Sequence, residues 1–116
     1  MQLSKIIDLV NAAVVVNCGV ASIEITSVCS ADLLSNVLRH GKSGALLVTC
    51  LNQPQAIRSA ELADIPAVLL ALGAIPEKDM IALAEEKKIM LLTTSLPMYT
   101  TCGILYGAGL RSCVEE

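Results

Sequence analysis

Hydrophobic residues fall in short, unbroken runs along this chain, separated by stretches in which apolar positions recur with helical spacing. The central run, Ala45–Thr49, is followed by a polar turn and then by Pro54. An unbroken apolar run predicts a strand buried on both faces of a parallel sheet. Pro54 is typical of the first turn of a helix, where its missing N–H costs nothing. The pattern therefore places a helix N-terminus at the carboxyl end of a central strand.

The same pattern of apolar and polar residues predicts a regular alternation of strands and helices over the whole chain. Predicted strands cover 13–16, 23–28, 45–49, 65–72 and 89–93. Predicted helices begin near residues 3, 30, 54, 76 and 98, and the tail 111–116 is expected to fray. Short connections between alternating elements indicate one layered α/β domain with a mainly parallel sheet.

Composition adds an expectation about assembly. The chain has 116 residues, of which 54% are hydrophobic and 16% charged, and its mean hydropathy is +0.67. A domain of this size cannot bury most of its surface, so we expect a homodimer. The last predicted helix is apolar around much of its circumference, and we place the interface there. Its expected contact residues are Met98, Tyr99, Cys102, Leu105 and Tyr106.

Charge and hydropathy also exclude several classes of partner. The net charge is −3, the basic residues are scattered, and aromatic residues make up 2% of the chain, so we expect no nucleic-acid binding. No apolar run approaches the roughly 18 residues of a membrane span. The N-terminus lacks the apolar core and cleavage pattern of a signal peptide, which predicts a cytoplasmic protein with no membrane partner.

Five cysteines are present, at 18, 29, 50, 102 and 113, and no two of them form a Cys-x-x-Cys pair. Without a secretion signal, reduced thiols that serve as small core residues are the first expectation. The alternative is a redox or metal/iron–sulfur module that uses Cys18, Cys29, Cys50 or Cys102. No spacing of histidine and cysteine resembles a zinc site, and we predict no cofactor.

The segment Gly41-Lys42-Ser43 superficially resembles a phosphate-binding loop. That loop requires a glycine where this chain has Asn36, and it requires a strand before it and a helix after it. Here a helix precedes and a strand follows, which indicates a surface turn. His40, the single histidine, is expected to contact the last carbonyls of its helix, and we predict no catalytic residue.

Polar residues follow three successive predicted strands. Because the carboxyl ends of parallel strands meet at one edge, we predict a cleft there for a small polar or anionic ligand. The alternative is that Asn52, Thr94 and Ser95 only cap helices, a role also expected of Asp32. The predicted cleft residues are Thr49, Asn52, Gln53, Gly73, Thr94 and Ser95.

Taken together, several segments resemble the DRTGG domain in its small stand-alone form. No single segment is specific, but their order and spacing match over nearly all of the chain. They are ADLLS (31–35), LVTCLNQPQ (47–55), RSAEL (58–62), GAIP (73–76), IMLLTT (89–94) and CGILY (102–106).

The resemblance implies a three-layer α/β/α sandwich, similar to the N-terminal domain of HPr kinase/phosphorylase, over residues 1–110. It implies a regulatory or dimerisation module without chemistry of its own, linked to hydrogenase or carbon-metabolism regulation in an anaerobe. Similar domains accompany phosphotransacetylases and CBS-containing pyrophosphatases, so a phosphoryl- or acyl-transfer enzyme is a weaker alternative. The name-giving Asp-Arg pair is replaced by Leu51-Asn52-Gln53, and Arg58 is the nearest substitute for its arginine.

Overall fold

The structure, a computed structural model, describes residues 1–19 and 22–114, and this part of the chain forms five helices and six strands. The helices are α1 (Leu3–Val10), α2 (Leu34–His40), α3 (Pro54–Leu62), α4 (Lys78–Lys87) and α5 (Met98–Gly107). The strands are β1 (Ala13–Val16), β2 (Ser27–Ser30), β3 (Ala45–Thr49), β4 (Ala67–Leu70), β5 (Met90–Thr93) and β6 (Arg111–Ser112).

The strands form one sheet in the order β1-β5-β4-β3-β2-β6. Strands β2 to β6 are parallel, and β1 pairs with β5 in the antiparallel direction. Each of β2, β3 and β4 is joined to its neighbour through a helix, and right-handed crossovers place α2, α3 and α4 on one face. Helices α1 and α5 cover the other face. The predicted three-layer α/β/α sandwich is confirmed.

Two hydrophobic cores lie on the two faces of the sheet, and β3 contributes to both of them. Leu47 packs in the first core with α2, α3 and α4, whereas Leu46 and Val48 pack in the second with α1 and α5. All five residues of β3 are buried. This two-sided burial explains why the central run of the sequence is unbroken rather than alternating.

The strand predicted at 23–28 is wrong in its position, because β2 covers Ser27–Ser30. The residues before β2 pair with the start of the chain instead. Leu3 N donates to the Ile23 carbonyl at 3.0 Å, and Ile25 N donates to the Met1 carbonyl at 2.8 Å. The alternation predicted a strand here but could not show that residues 23–25 pair with the start of the chain.

The carboxylate of Asp32 does not cap α2, in contrast to the sequence-based prediction. Helix α2 begins at Leu34, and its N-cap residue, Leu33, makes no side-chain capping bond. Asp32 Oδ1 instead accepts hydrogen bonds from Thr49 Oγ1 and Cys50 N, both at 2.8 Å. Asp32 thereby ties the loop after β2 to the end of β3.

The tail is not frayed at its beginning. Arg111 and Ser112 form β6, which pairs with Ser27 and Val28 of β2, and Cys113 is buried. The last two residues of the predicted tail lie outside the described residues. Among the described residues, no helix is long and apolar enough to cross a membrane.

Candidate ligand-binding site

A cavity of about 360 Å³ lies at the β6 edge of the sheet, between α2 and α5. Strand β6 has two residues, so it covers little of the space between the two helix layers. The volume is within the range of small-molecule sites. We call this cavity the β6 pocket, and its lining residues are Val28, Cys29, Ser30, Ala31, Asn36, His40, Cys102, Leu105, Tyr106, Leu110, Arg111, Ser112, Cys113 and Val114.

Among the described residues that line the β6 pocket, the charged side chain is that of Arg111. The Arg111 guanidinium lies over the ring of Tyr106, 5.1 Å from its centroid, and His40 lines the same cavity. Among residues 1–19 and 22–114, no carboxylate forms an ion pair with Arg111 or His40. A cation without a carboxylate partner beside hydroxyl groups is suited to a phosphate or a carboxylate ligand.

Two serine hydroxyls in the pocket each accept one protein hydrogen bond. Cys102 Sγ donates to Ser30 Oγ at 3.4 Å, and Val114 N donates to Ser112 Oγ at 3.0 Å. A serine hydroxyl also carries its own proton, so both groups can donate to a ligand. His40 was expected to contact the carbonyls at the end of its helix, but its side chain makes no hydrogen bond within the described residues and lines the pocket.

Three cysteines line the β6 pocket. Cys29 and Cys113 are buried, whereas Cys102 is half-buried. Burial is the main cause that raises the pKa of the Cys29 thiol to about 12, and the neighbouring Cys113 thiol contributes to this shift. Within the part of the chain that the structure describes, no three His, Cys, Asp or Glu side chains are placed to hold a metal ion. The alternative of a metal or iron–sulfur module therefore has no binding site among the described residues.

Outside the pocket, two other thiols also have raised pKa values. Burial raises the pKa of Cys50, and the charge of Asp32 adds to that effect. Burial is also the main cause of the raised pKa of Cys18. A thiol with a raised pKa is a poor nucleophile at neutral pH, so neither cysteine resembles a catalytic one.

The polar groups predicted to form a cleft are largely committed to the protein itself. Thr49 Oγ1 donates to Asp32, and Asn52 Nδ2 donates to the Ile75 carbonyl at 2.7 Å. Thr94 Oγ1 donates to the Val10 carbonyl at 2.8 Å. These three side chains hold loops against strand ends. Neither α3 nor α5 has a side-chain capping bond, so the expectation that Asn52, Thr94 and Ser95 cap helices is wrong.

The structure does not bring the predicted cleft residues into one cavity. Gly73, Thr94 and Ser95 line a shallow groove beside β1 of about 410 Å³. Thr49, Asn52 and Gln53 lie outside that groove. Arg58 lines a separate groove between α3 and α4, together with Asp79 and Glu86. The geometry splits the set, and ligand binding by its members stays a prediction.

The residues predicted for a dimer interface differ in their exposure to solvent. Leu105 is 1% exposed and belongs to the second core, so it is unavailable to a partner. Tyr99 is 91% exposed and Tyr106 is half-exposed. Met98 and Cys102 are partly buried against the core. The inward side of α5 completes the domain, whereas its tyrosines remain exposed.

Strand β6 was not predicted from the sequence. Two residues are too short a segment for any periodicity, and β6 pairs with a strand far away in the chain. Arg111 and Ser112 were therefore assigned to the tail. The available signal was an apolar residue, Leu110, followed by a basic one after a glycine-rich turn.

Fold and pocket together define a three-layer α/β/α domain with a cationic cavity at one edge of its sheet. A family model for the DRTGG domain matches residues 5–108, and the chain belongs to that family. No curated protein matches the chain.

A crystal structure of the CBS and DRTGG domains of the regulatory region of Clostridium perfringens pyrophosphatase, complexed with the activator diadenosine tetraphosphate, is similar in fold. The TM-score is 0.68 at 16% sequence identity, over 90% of this chain and 45% of that one. The chain thus spans less than half the length of this neighbour.

Proposed function

We propose that this DRTGG domain is a non-catalytic regulatory module that binds a small anionic molecule in the β6 pocket. The observation that carries the proposal is Arg111, held over Tyr106 and facing a cavity without a carboxylate among its described lining residues. The similar domain of the pyrophosphatase lies in a regulatory region whose activator carries phosphates. That comparison supports a regulatory role and a phosphorylated ligand.

Recognition would combine charge with apolar contact. The guanidinium offers a planar set of donors that matches phosphate or carboxylate oxygens, and the Tyr106 ring holds it in place. Ser30 and Ser112 add hydroxyl donors, whereas Leu105 and Leu110 supply an apolar wall. A ligand with one anionic end and one apolar or aromatic part fits this combination.

A binding role is favoured over phosphoryl or acyl transfer. Transfer to a side chain requires a nucleophile beside a base. Within the described residues, His40 makes no hydrogen bond to a hydroxyl or a thiol, and the pocket lining includes no carboxylate that would orient it. The pocket therefore supplies binding groups but not a paired nucleophile and base.

Calorimetric titration of the protein with diadenosine tetraphosphate, adenosine triphosphate and acetyl phosphate tests the proposal. We expect Arg111→Ala to weaken binding roughly tenfold to a hundredfold, because a hydrogen bond to a charged group contributes about 1.5–3 kcal/mol. Arg39→Ala is the matched control, since Arg39 is an exposed arginine of α2 outside the pocket lining. Equal effects of the two variants, or no binding of any of the three anions, would reject the β6 pocket as an anion site.

The proposal also includes a homodimer, a location in the cytoplasm and an unidentified protein partner. Tyr99, Tyr106 and the exposed part of Met98 would meet a second copy of α5 across a two-fold axis. The link to hydrogenase or carbon-metabolism regulation rests on the family resemblance. Affinity purification of the protein from its host, followed by mass spectrometry, tests that link, and recovery of the protein without either class of enzyme counts against it.

A further inference from the structure

Two cysteines lie opposite each other on neighbouring strands. Strands β2 and β6 are parallel, with Ser27 opposite Arg111 and Val28 opposite Ser112. Cys113 N then donates to the Val28 carbonyl at 2.9 Å, which continues the same ladder by one residue. The residue opposite Cys113 is therefore Cys29.

The two side chains point to the same face of the sheet and share one environment. Cys29 is 4% exposed and Cys113 is 2% exposed, and both belong to the first hydrophobic core. The neighbouring Cys113 thiol helps to raise the pKa of Cys29, and both cysteines line the β6 pocket. Adjacent strands lie about 4.8 Å apart, and disulfides join Cα atoms roughly 4.4–6.8 Å apart, so the backbone spacing suits a cross-link.

We propose that Cys29 and Cys113 form a reversible disulfide that fastens β6 to β2 and thereby controls the β6 pocket. Cys29 belongs to the set of redox cysteines expected from the sequence, whereas Cys113 does not. Disulfides in reducing compartments are usually transient or redox-sensing rather than structural. Such a role suits a cysteine pair placed in the wall of a binding cavity.

The oxidant that we name is a low-molecular-weight disulfide, which can approach through the pocket. The Cys113 thiolate attacks one sulfur of that disulfide, so a mixed disulfide forms and one small thiolate leaves. The small thiolate released in the first step takes the proton of Cys29, the Cys29 thiolate attacks the Cys113 sulfur, and the second small thiolate leaves. In total, two protein thiols and one small disulfide yield one protein disulfide and two small thiols.

Control of the pocket follows from the position of the cross-link. Arg111 lies two residues before Cys113, and the short β6 is held by backbone bonds to one strand. A disulfide would fix the distance between β6 and β2 and restrict any adjustment of Arg111 around a ligand. This consequence rests on the proposed function, whereas the formation of the disulfide does not.

Formation of the disulfide is tested by peptide mapping of the full chain after treatment with oxidised glutathione near pH 8. We expect a loss of two of the five free thiols and one cross-linked pair of peptides, containing Cys29 and Cys113. Cys29→Ser and Cys113→Ser should each abolish the cross-link, whereas the matched control Cys102→Ser, a change within the same pocket, should retain it. A protein that stays fully reduced, carries glutathione alone or pairs Cys102 instead would overturn the proposal.

Control of the pocket is tested by titrating adenosine triphosphate into the oxidised and the dithiothreitol-reduced protein. We expect at least a tenfold difference in affinity, absent in Cys29→Ser. Equal affinities with the cross-link present would overturn the control of the pocket. Failure of adenosine triphosphate, diadenosine tetraphosphate and acetyl phosphate to bind either form would reject the proposed function, yet the peptide map would still decide whether the disulfide forms.

Discussion

At the scale of single residues, Asp32 shows how one carboxylate replaces the expected helix cap with a contact between loops. Its Oδ1 accepts from a hydroxyl and from a backbone N–H at the end of β3. Both donors would otherwise need water or another acceptor. Asp32 therefore stabilises the turn that leaves the central strand, a place where backbone groups have no ladder partner.

We predict that Asp32→Ala lowers the free energy of unfolding by about 1–2 kcal/mol, since two donors lose a charged acceptor. Asp32→Asn keeps the Oδ1 acceptor and should cost less than half as much. Asp8→Ala, which removes an exposed carboxylate on α1, is the control and should change little. Urea unfolding measures all three, and an Asp32→Ala variant as stable as the wild type would contradict the role given to Asp32.

Cys29 makes stability depend on pH in alkaline solution. Its folded-state pKa is raised from 9.0 to about 12, so the unfolded chain releases this proton first as the pH rises. The stabilising contribution is fully present below pH 9 and is lost as the pH rises from 9 towards 12. We expect reduced wild-type protein to lose more stability over this window than Cys29→Ala, measured by urea unfolding in parallel. If the free energy of unfolding falls equally with pH in the two proteins, Cys29 does not contribute to the pH dependence of stability.

At the scale of secondary-structure elements, β3 is one of the two middle strands of the sheet, and its two faces enter different cores. We predict that Leu47→Asp unfolds the protein, since an unpaired buried charge costs several kcal/mol against a total stability of about 5–15 kcal/mol. Circular dichroism checks this outcome. Leu62→Asp on α3 is the control, because Leu62 is 75% exposed. A cooperatively folded Leu47→Asp variant would contradict the burial of β3.

The two edges of the sheet differ in a way that matters for function. Strand β1 runs antiparallel and carries a register shift between Val14 and Val16, and such irregular edges discourage further strand pairing. Strand β6 is so short that it leaves a cavity beside it. The pocket thus arises from an incomplete edge rather than from the carboxyl ends of the central strands.

At the scale of the whole molecule, the exposed apolar residues point to self-association. We predict a dimer at micromolar concentration, and Tyr99→Glu and Tyr106→Glu should each give a folded monomer by light scattering. Two charges at the centre of a two-fold interface would face their own copies. Ile75→Glu is the control, because Ile75 is 79% exposed and lines the groove beside β1.

Three outcomes of that experiment count against α5 as the interface. A monomeric wild type would remove the dimer altogether. A dimer that survives both tyrosine changes would reject the α5 surface. A dimer lost in Ile75→Glu alone would move the interface to the groove beside β1.

The sequence alone determined the elements whose patterns are local. Strands β1 and β3 have the predicted bounds, and α5 begins at the predicted residue. The starts of the other helices and the bounds of β4 and β5 differ by a few residues at most. A buried strand or an amphipathic helix is encoded within its own residues, in the period and length of its apolar positions. The alternation of elements then restricts the fold to a layered α/β sandwich.

Only the tertiary structure decided which segments meet. The partner of residues 23–25 is the start of the chain, Asp32 contacts the end of β3, and β6 pairs with β2. None of these contacts leaves a periodic signal, because each depends on packing between segments that are distant along the chain. The β6 pocket and the facing cysteines are products of that packing, and so the candidate site could not be deduced from local pattern.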